Sequence, residues 1–209
     1  VYNDFYIGED SDVVIVAGCG IDNCGNQDSQ HDGLHRFYVG KNASVIIVAG
    51  CGIHSEYDAD AEHDGIHRFY LEEASEVKYI EKHYAEGEGK GKKTINPVTE
   101  IYMGPNSSME IETSQIKGID DATRTTKCEL QHGAKLIINE KIMTHNSQKA
   151  KTVFDVKLDG KNSSAKVTSR AVAIDKSKQI FTSNVIGNDE CFGHVECDAI
   201  IKDNGKISA

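Results

Sequence analysis

Three groups of cysteine and histidine hold the metal-binding potential of this chain. The first is Cys19-x4-Cys24-x6-His31-x3-His35, and part of it recurs as Cys51, His63 and His67. Thiolates and imidazoles at such spacings suit zinc or iron. The second copy carries Glu56 where the first has Cys24, so a four-ligand set is not reproduced. The competing role is packing, with Cys19 over Cys51 and His35 over His67 in a ladder of strands about 4.8 Å apart. On that reading the zinc content is expected to be near zero. The third group is Cys191-Phe192-Gly193-His194-Val195-Glu196-Cys197-Asp198. On an extended strand Cys191 and Cys197 share one face, while His194, Glu196 and Asp198 share the other. The residues alone leave Cys197 open between a ligand and a buried thiol. Both His-Asp-Gly-φ-His blocks put histidine near aspartate, but no serine sits in a strand–turn–helix elbow, so no hydrolase is expected.

The elements that must position these residues are set by a repeat. A tyrosine phrase returns every 32 residues: Tyr6-Ile7-Gly8, Tyr38-Val39-Gly40, Tyr70-Leu71-Glu72 and Tyr102-Met103-Gly104. Such a period means stacked units, each burying its apolar side against its neighbours. Gly8–Phe37 matches Gly40–Phe69 at many positions, including Val16–Ile21 against Val48–Ile53, whereas Asp22–Asp28 and His54–Asp60 diverge. Two strands per coil joined by an exposed loop would give that pattern. Segments such as Val77-Lys78-Tyr79-Ile80-Glu81 alternate faces with period two. Gly, Asn and Asp cluster between them, where corners need left-handed backbone. After Tyr102 the step shortens, as from Leu130 to Leu158, predicting shorter loops. Glu86–Lys93, with glycine at every second position, reads as a mobile loop. The expected fold is all-β, a parallel β-helix with coils of about 28–32 residues, forming one domain over 1–209.

Bulk composition excludes several function classes. The chain has 209 residues and a formal charge of −10, so a phosphate backbone would be repelled, and no nucleic-acid partner is expected. Apolar runs such as Val13–Ala17 are too short to span a bilayer, so no membrane partner is expected, and Val1–Ile7 lacks the basic start of a signal peptide. Six cysteines without a secretory signal read as reduced thiols, which points to a cytoplasmic protein.

Several motifs together resemble the SufB/SufD family, scaffold subunits of the SUF machinery for iron–sulfur cluster assembly. They are Val-Ala-Gly-Cys-Gly-Ile, His-Asp-Gly-φ-His, Val77–Gly87, Ser169-Arg170-Ala171-Val172-Ala173, Ser177-Lys178-Gln179-Ile180-Phe181 and Gly193–Asp198. The resemblance implies a right-handed parallel β-helix core, here without the family's flanking helical regions. It implies a non-enzymatic scaffold that pairs with a second SufB/SufD-like subunit or with itself and works with a separate SufC-like ATPase. It implies a transient iron–sulfur cluster near the C-terminal strands, with Cys197 as leading ligand and Cys191, His194 and Glu196 as lesser candidates. On this view Cys19, Cys24, Cys51, His31, His35, His63 and His67 are ladder residues more than ligands, and no resident zinc is expected. A purely structural β-solenoid and a metal-binding β-helix protein are the alternatives.

Overall fold

A computed structural model describes all residues 1–209 and contains strands, corners and loops but no helix. Coil by coil the strands are β1 (Tyr2–Ile7) with β2 (Asp12–Asn23), β3 (Ser29–Val39) with β4 (Ser44–Ser55), and β5 (Ala61–Leu71) with β6 (Glu76–Glu86). Next come β7 (Lys93–Met103) with β8 (Ser108–Lys117), and β9 (Asp121–Leu130) with β10 (Lys135–Thr144). The stack continues as β11 (Lys149–Leu158) with β12 (Ser164–Ala173), β13 (Lys178–Gly187) with β14 (Phe192–Ile201), and β15 (Lys206–Ser208). Odd strands form one 8-stranded sheet and even strands one 7-stranded sheet, each in unbroken order along the stack. All pairings are parallel. The chain is therefore a two-sheet parallel β-solenoid, as the repeat predicts.

The constant period is a constant register. Tyr2, Leu34, Ile66 and Val98 stand above one another at steps of 32, and the next partners are Thr125, Val153 and Thr182. The shorter later steps have a local cause. Strands contract from 11 or 12 residues to 10, and the segment 87–92 between β6 and β7 gives way to 118–120 between β8 and β9. A bulge between His83 and Tyr84 absorbs the mismatch in the β6–β8 pair.

Alternation then sorts the side chains. Tyr6, Tyr38, Tyr70 and Tyr102 stack on the outside, with ring centroids 4.8, 5.0 and 5.2 Å apart and planes within 9°. Their chain neighbours Phe5, Phe37 and Phe69 stack on the inside at 4.7 and 4.9 Å. Identical aromatic residues at one register position thus form an inner and an outer ladder from the same dipeptide. The apolar interior is divided into a larger cluster containing Val45, Phe69, Leu136 and Phe154 and a smaller one containing Ile53, Ile95, Ile119 and Ile142.

Corners repeat as faithfully as strands. Asp10, Asn42, Ala74 and Asn106 all take left-handed backbone, with φ between 55° and 58°. Asx residues tolerate that conformation, but alanine bears a cost of about 1–2 kcal/mol there. Ala74→Asn should therefore stabilise the protein by about 1 kcal/mol, raising Tm by roughly 2–4 °C. An unchanged or lower melting temperature would refute the strain at this corner.

The Glu86–Lys93 segment departs from the mobile loop expected of it. Glu88 N–H donates to Glu56, Lys90 N–H to Asp58 and Lys92 N–H to Asp60, and Lys93 Nζ donates to the Gly89 carbonyl at 2.9 Å. A Cβ at Gly87, Gly89 or Gly91 would strike the backbone of Ser55, Tyr57 or Ala59. The alternate glycines let this loop lie flush on the loop of the coil before it, so they reflect close approach, not freedom.

Candidate metal and cluster site

Between the two apolar clusters runs a buried polar seam, on which Cys19, Cys51, His63, His67 and Cys197 lie. The seam follows from parity. Tyr79, Glu81 and His83 share the inward face of β6 with Val77 and Ala85, all nearly inaccessible. From β9, Arg124 enters on the same face as Ala122 and Cys128. In-register stacking strings these positions into rows: Ala49, Glu81, Thr113, Glu140, Ser169 and Cys197 in one, and Cys19, Cys51, His83 and Gln115 in the next.

Charges in this seam are held by dense pairing, as burial requires. Tyr79 hydroxyl donates to Glu81 Oε1 at 2.8 Å and lies 2.9 Å from His67 Nδ1, itself 3.2 Å from the same carboxylate oxygen. His83 Nε2 is 3.3 Å from Glu81, and its Nδ1 takes a hydrogen bond from Arg124 Nη2. Arg124 Nη1 faces Glu140 Oε1 at 3.4 Å. Thr152 and Ser169 hydroxyls donate to Glu140 at 3.0 and 2.7 Å. Burial works against the Glu81 charge, but His83 and His67 outweigh it and hold the carboxyl well below the usual range. Burial lowers the His83 imidazole against the opposing pull of the Glu81 carboxylate, with Arg124 alongside adding to the lowering.

Cys197 closes this row. It stands over Ser169 on the edge strand β14, half-buried and inward-facing. Partial burial raises its thiol pKa, with Glu140 and Asp198 contributing. The other members of its sequence cluster go elsewhere. His194 and Glu196 pair with each other at 3.6 Å on the outer face, and Cys191 packs against the larger apolar cluster. The structure therefore separates Cys197 from Cys191, His194 and Glu196 instead of gathering them.

At the other end of the stack, Cys19 lies in register over Cys51, His31 over His63 and His35 over His67. These ladders bring Cys19, His31 and His63 together, with Cys51 Sγ 3.2 Å from Cys19 Sγ, while His67 turns to Tyr79 and Glu81. Cys24 falls outside the group, exposed in the loop after β2. All six cysteines are free thiols. Sequence spacing did not single out Tyr79, Glu81, His83, Arg124 or Glu140 as site residues. The available signal was a charged or polar residue at the parity of a buried apolar one, such as Glu81 beside Val77.

No curated protein matches the chain. The family described as SUF system FeS cluster assembly, SufBD core domain, matches residues 59–208, a span covering β5 through β15. The motif resemblance, the parallel β-solenoid and this match over most of the chain agree: the protein belongs to the SufB/SufD family of SUF iron–sulfur cluster assembly.

Proposed function

We propose that the chain serves iron–sulfur cluster assembly as a non-enzymatic scaffold core, with Cys197 ligating the nascent cluster as cargo. One observation carries this reading: Cys197 is the only thiol on the seam at the β14 end, half-buried and flanked by Ser169 below it in the row. A half-buried thiol on an edge strand can both reach an incoming cluster and shield it. Iron itself would deprotonate the sulfur, so the raised thiol pKa is no obstacle. Nearby carboxylates and hydroxyls would then tune how firmly the cluster is held.

Pairing with a second SufB/SufD-like subunit, or with a second copy, would bring further ligands to the same edge. Phe192, Ile200 and Ile201 on β14 are each more than half exposed and offer apolar area for it. Cluster assembly would draw its energy from a separate SufC-like ATPase, in the cytoplasm. The test is anaerobic reconstitution with iron and sulfide. Cys197→Ala should lose most of the bound iron and acid-labile sulfide, while Cys24→Ser should load like the parent chain. Equal loading in the parent and Cys197→Ala, or none in either, would remove Cys197 as a ligand.

A further inference from the structure

We propose that Cys19, Cys51, His31 and His63 form a partly buried site for one thiophilic divalent cation, zinc or ferrous iron, between β2, β3, β4 and β5. Each donor comes from a different strand, so the site exists only through stacking. The Cys19 sulfur and ring nitrogens of His31 and His63 all lie within 4.8 Å of one another. Cys51 Sγ is 3.2 Å from Cys19 Sγ, and His63 Nε2 is also 3.2 Å from Cys19 Sγ. Bond lengths near 2.3 Å to sulfur and 2.0–2.1 Å to nitrogen place tetrahedral donors about 3.8 Å apart for two sulfurs and about 3.5 Å for sulfur and nitrogen. The Cys19–Cys51 and Cys19–His63 pairs need to open by about 0.6 and 0.3 Å to admit an ion. Two sulfurs with two imidazoles is a donor set that soft or borderline cations take, and magnesium or calcium does not.

An orphaned atom points to the same occupant. His31 Nε2 is buried with no hydrogen-bond partner. Gly33 leaves space above it: a Cβ there would lie 3.1 Å from His35 Nε2 and 3.6 Å from His31 Nε2. Both imidazole nitrogens thus converge on a spot that a side chain would crowd. His35 is oriented from behind by Asn3, whose Nδ2 lies 3.1 Å from its Nδ1, and it stands as a reserve donor. The ion binds thiolate and neutral imidazole, so binding should weaken as pH falls.

The neighbouring trio Cys51, Glu81 and His83 is a poorer host. Its carboxylate already serves Tyr79 and His67, and Arg124 supplies a positive charge beside it. Nor is the proposed site the Cys197 edge again. Five strand steps separate β4 from β14, about 24 Å at 4.8 Å each. Cys19, His31 and Cys51 also precede residues 59–208, which match the family. The ladder expected of these residues is present, and it is the device that assembles the donors.

The test uses the reduced, anaerobic chain loaded with zinc alone or ferrous iron alone, without sulfide, so its outcome is independent of cluster loading. One equivalent of either ion should survive desalting, and competition between the two assigns the cation. Cys19→Ser and His31→Asn should each weaken binding by roughly 100-fold or more, whereas Cys24→Ser should not change it. Cobalt loading of the unmodified chain should show thiolate charge-transfer bands and tetrahedral ligand-field bands, a readout that needs no variant to fold. Failure to retain either ion, a cobalt spectrum without thiolate bands, or equal losses in Cys24→Ser and Cys19→Ser would overturn the site.

Discussion

Arg124→Met should be among the most destabilising single changes in the solenoid, costing about 3–5 kcal/mol, or roughly 10 °C in Tm. The guanidinium is 4% exposed and stands between His83 and the Glu140 carboxylate. Methionine fills much of the volume but leaves Glu140 with two hydroxyl donors and no cation, inside a 1% exposed position. A lone buried charge is far more expensive than a missing pair. The double variant Arg124→Met with Glu140→Leu should therefore recover most of the loss. Recovery would fall short of complete, because Ser169, Thr152 and His83 would lose their partner. A single variant that melts within about 2 °C of the parent, or a double variant lower than the single, would show that the seam is not organised around this pair.

Phe69→Ala should cost about 3–5 kcal/mol, the range for deleting a fully buried ring. Phe69 is inaccessible, stacks on Phe37 at 4.9 Å, and meets Tyr79 at 5.0 Å. Its removal opens a cavity in the larger apolar cluster that two rigid sheets can close only partly. The adjacent Tyr70→Ala removes a ring from the outer ladder, where it stacks at 5.0 and 5.2 Å. That loss should be about 1 kcal/mol, since the site is partly solvated and only the ring–ring contacts disappear. Thermal or urea unfolding of the two variants decides the matter. Equal destabilisation would mean that the inner and outer ladders are not energetically distinct.

The fold was legible because stacking demands the same residue at the same register position, which leaves a visible period in Tyr6, Tyr38, Tyr70 and Tyr102. The strand faces were legible for the same reason, through the alternation of Phe37 and Tyr38. Reading failed where a residue's meaning lies one coil away. Gly87, Gly89 and Gly91 look flexible in their own segment, yet they answer to the backbone of Ser55, Tyr57 and Ala59 above them. Cys24 looks like a fourth ligand by chain spacing, while the sulfur that joins Cys19 is Cys51, 32 residues on. Arg124 and Glu140 fall after the period has changed, so no repeated copy flags them. Their parity with Cys128 and Ile138 was the remaining clue.

The strict in-register match of β2 on β4 and β3 on β5 has an evolutionary corollary. Corners, ladder rungs and face assignment all recur after one coil, so copying one coil creates no contact type that the molecule did not already have. Length in such a chain is a heritable quantity that changes in whole steps, and each step leaves the older rungs untouched. New chemistry can then arise by repetition alone: one cysteine and one histidine copied once stand in register as two thiols and two imidazoles on neighbouring rungs.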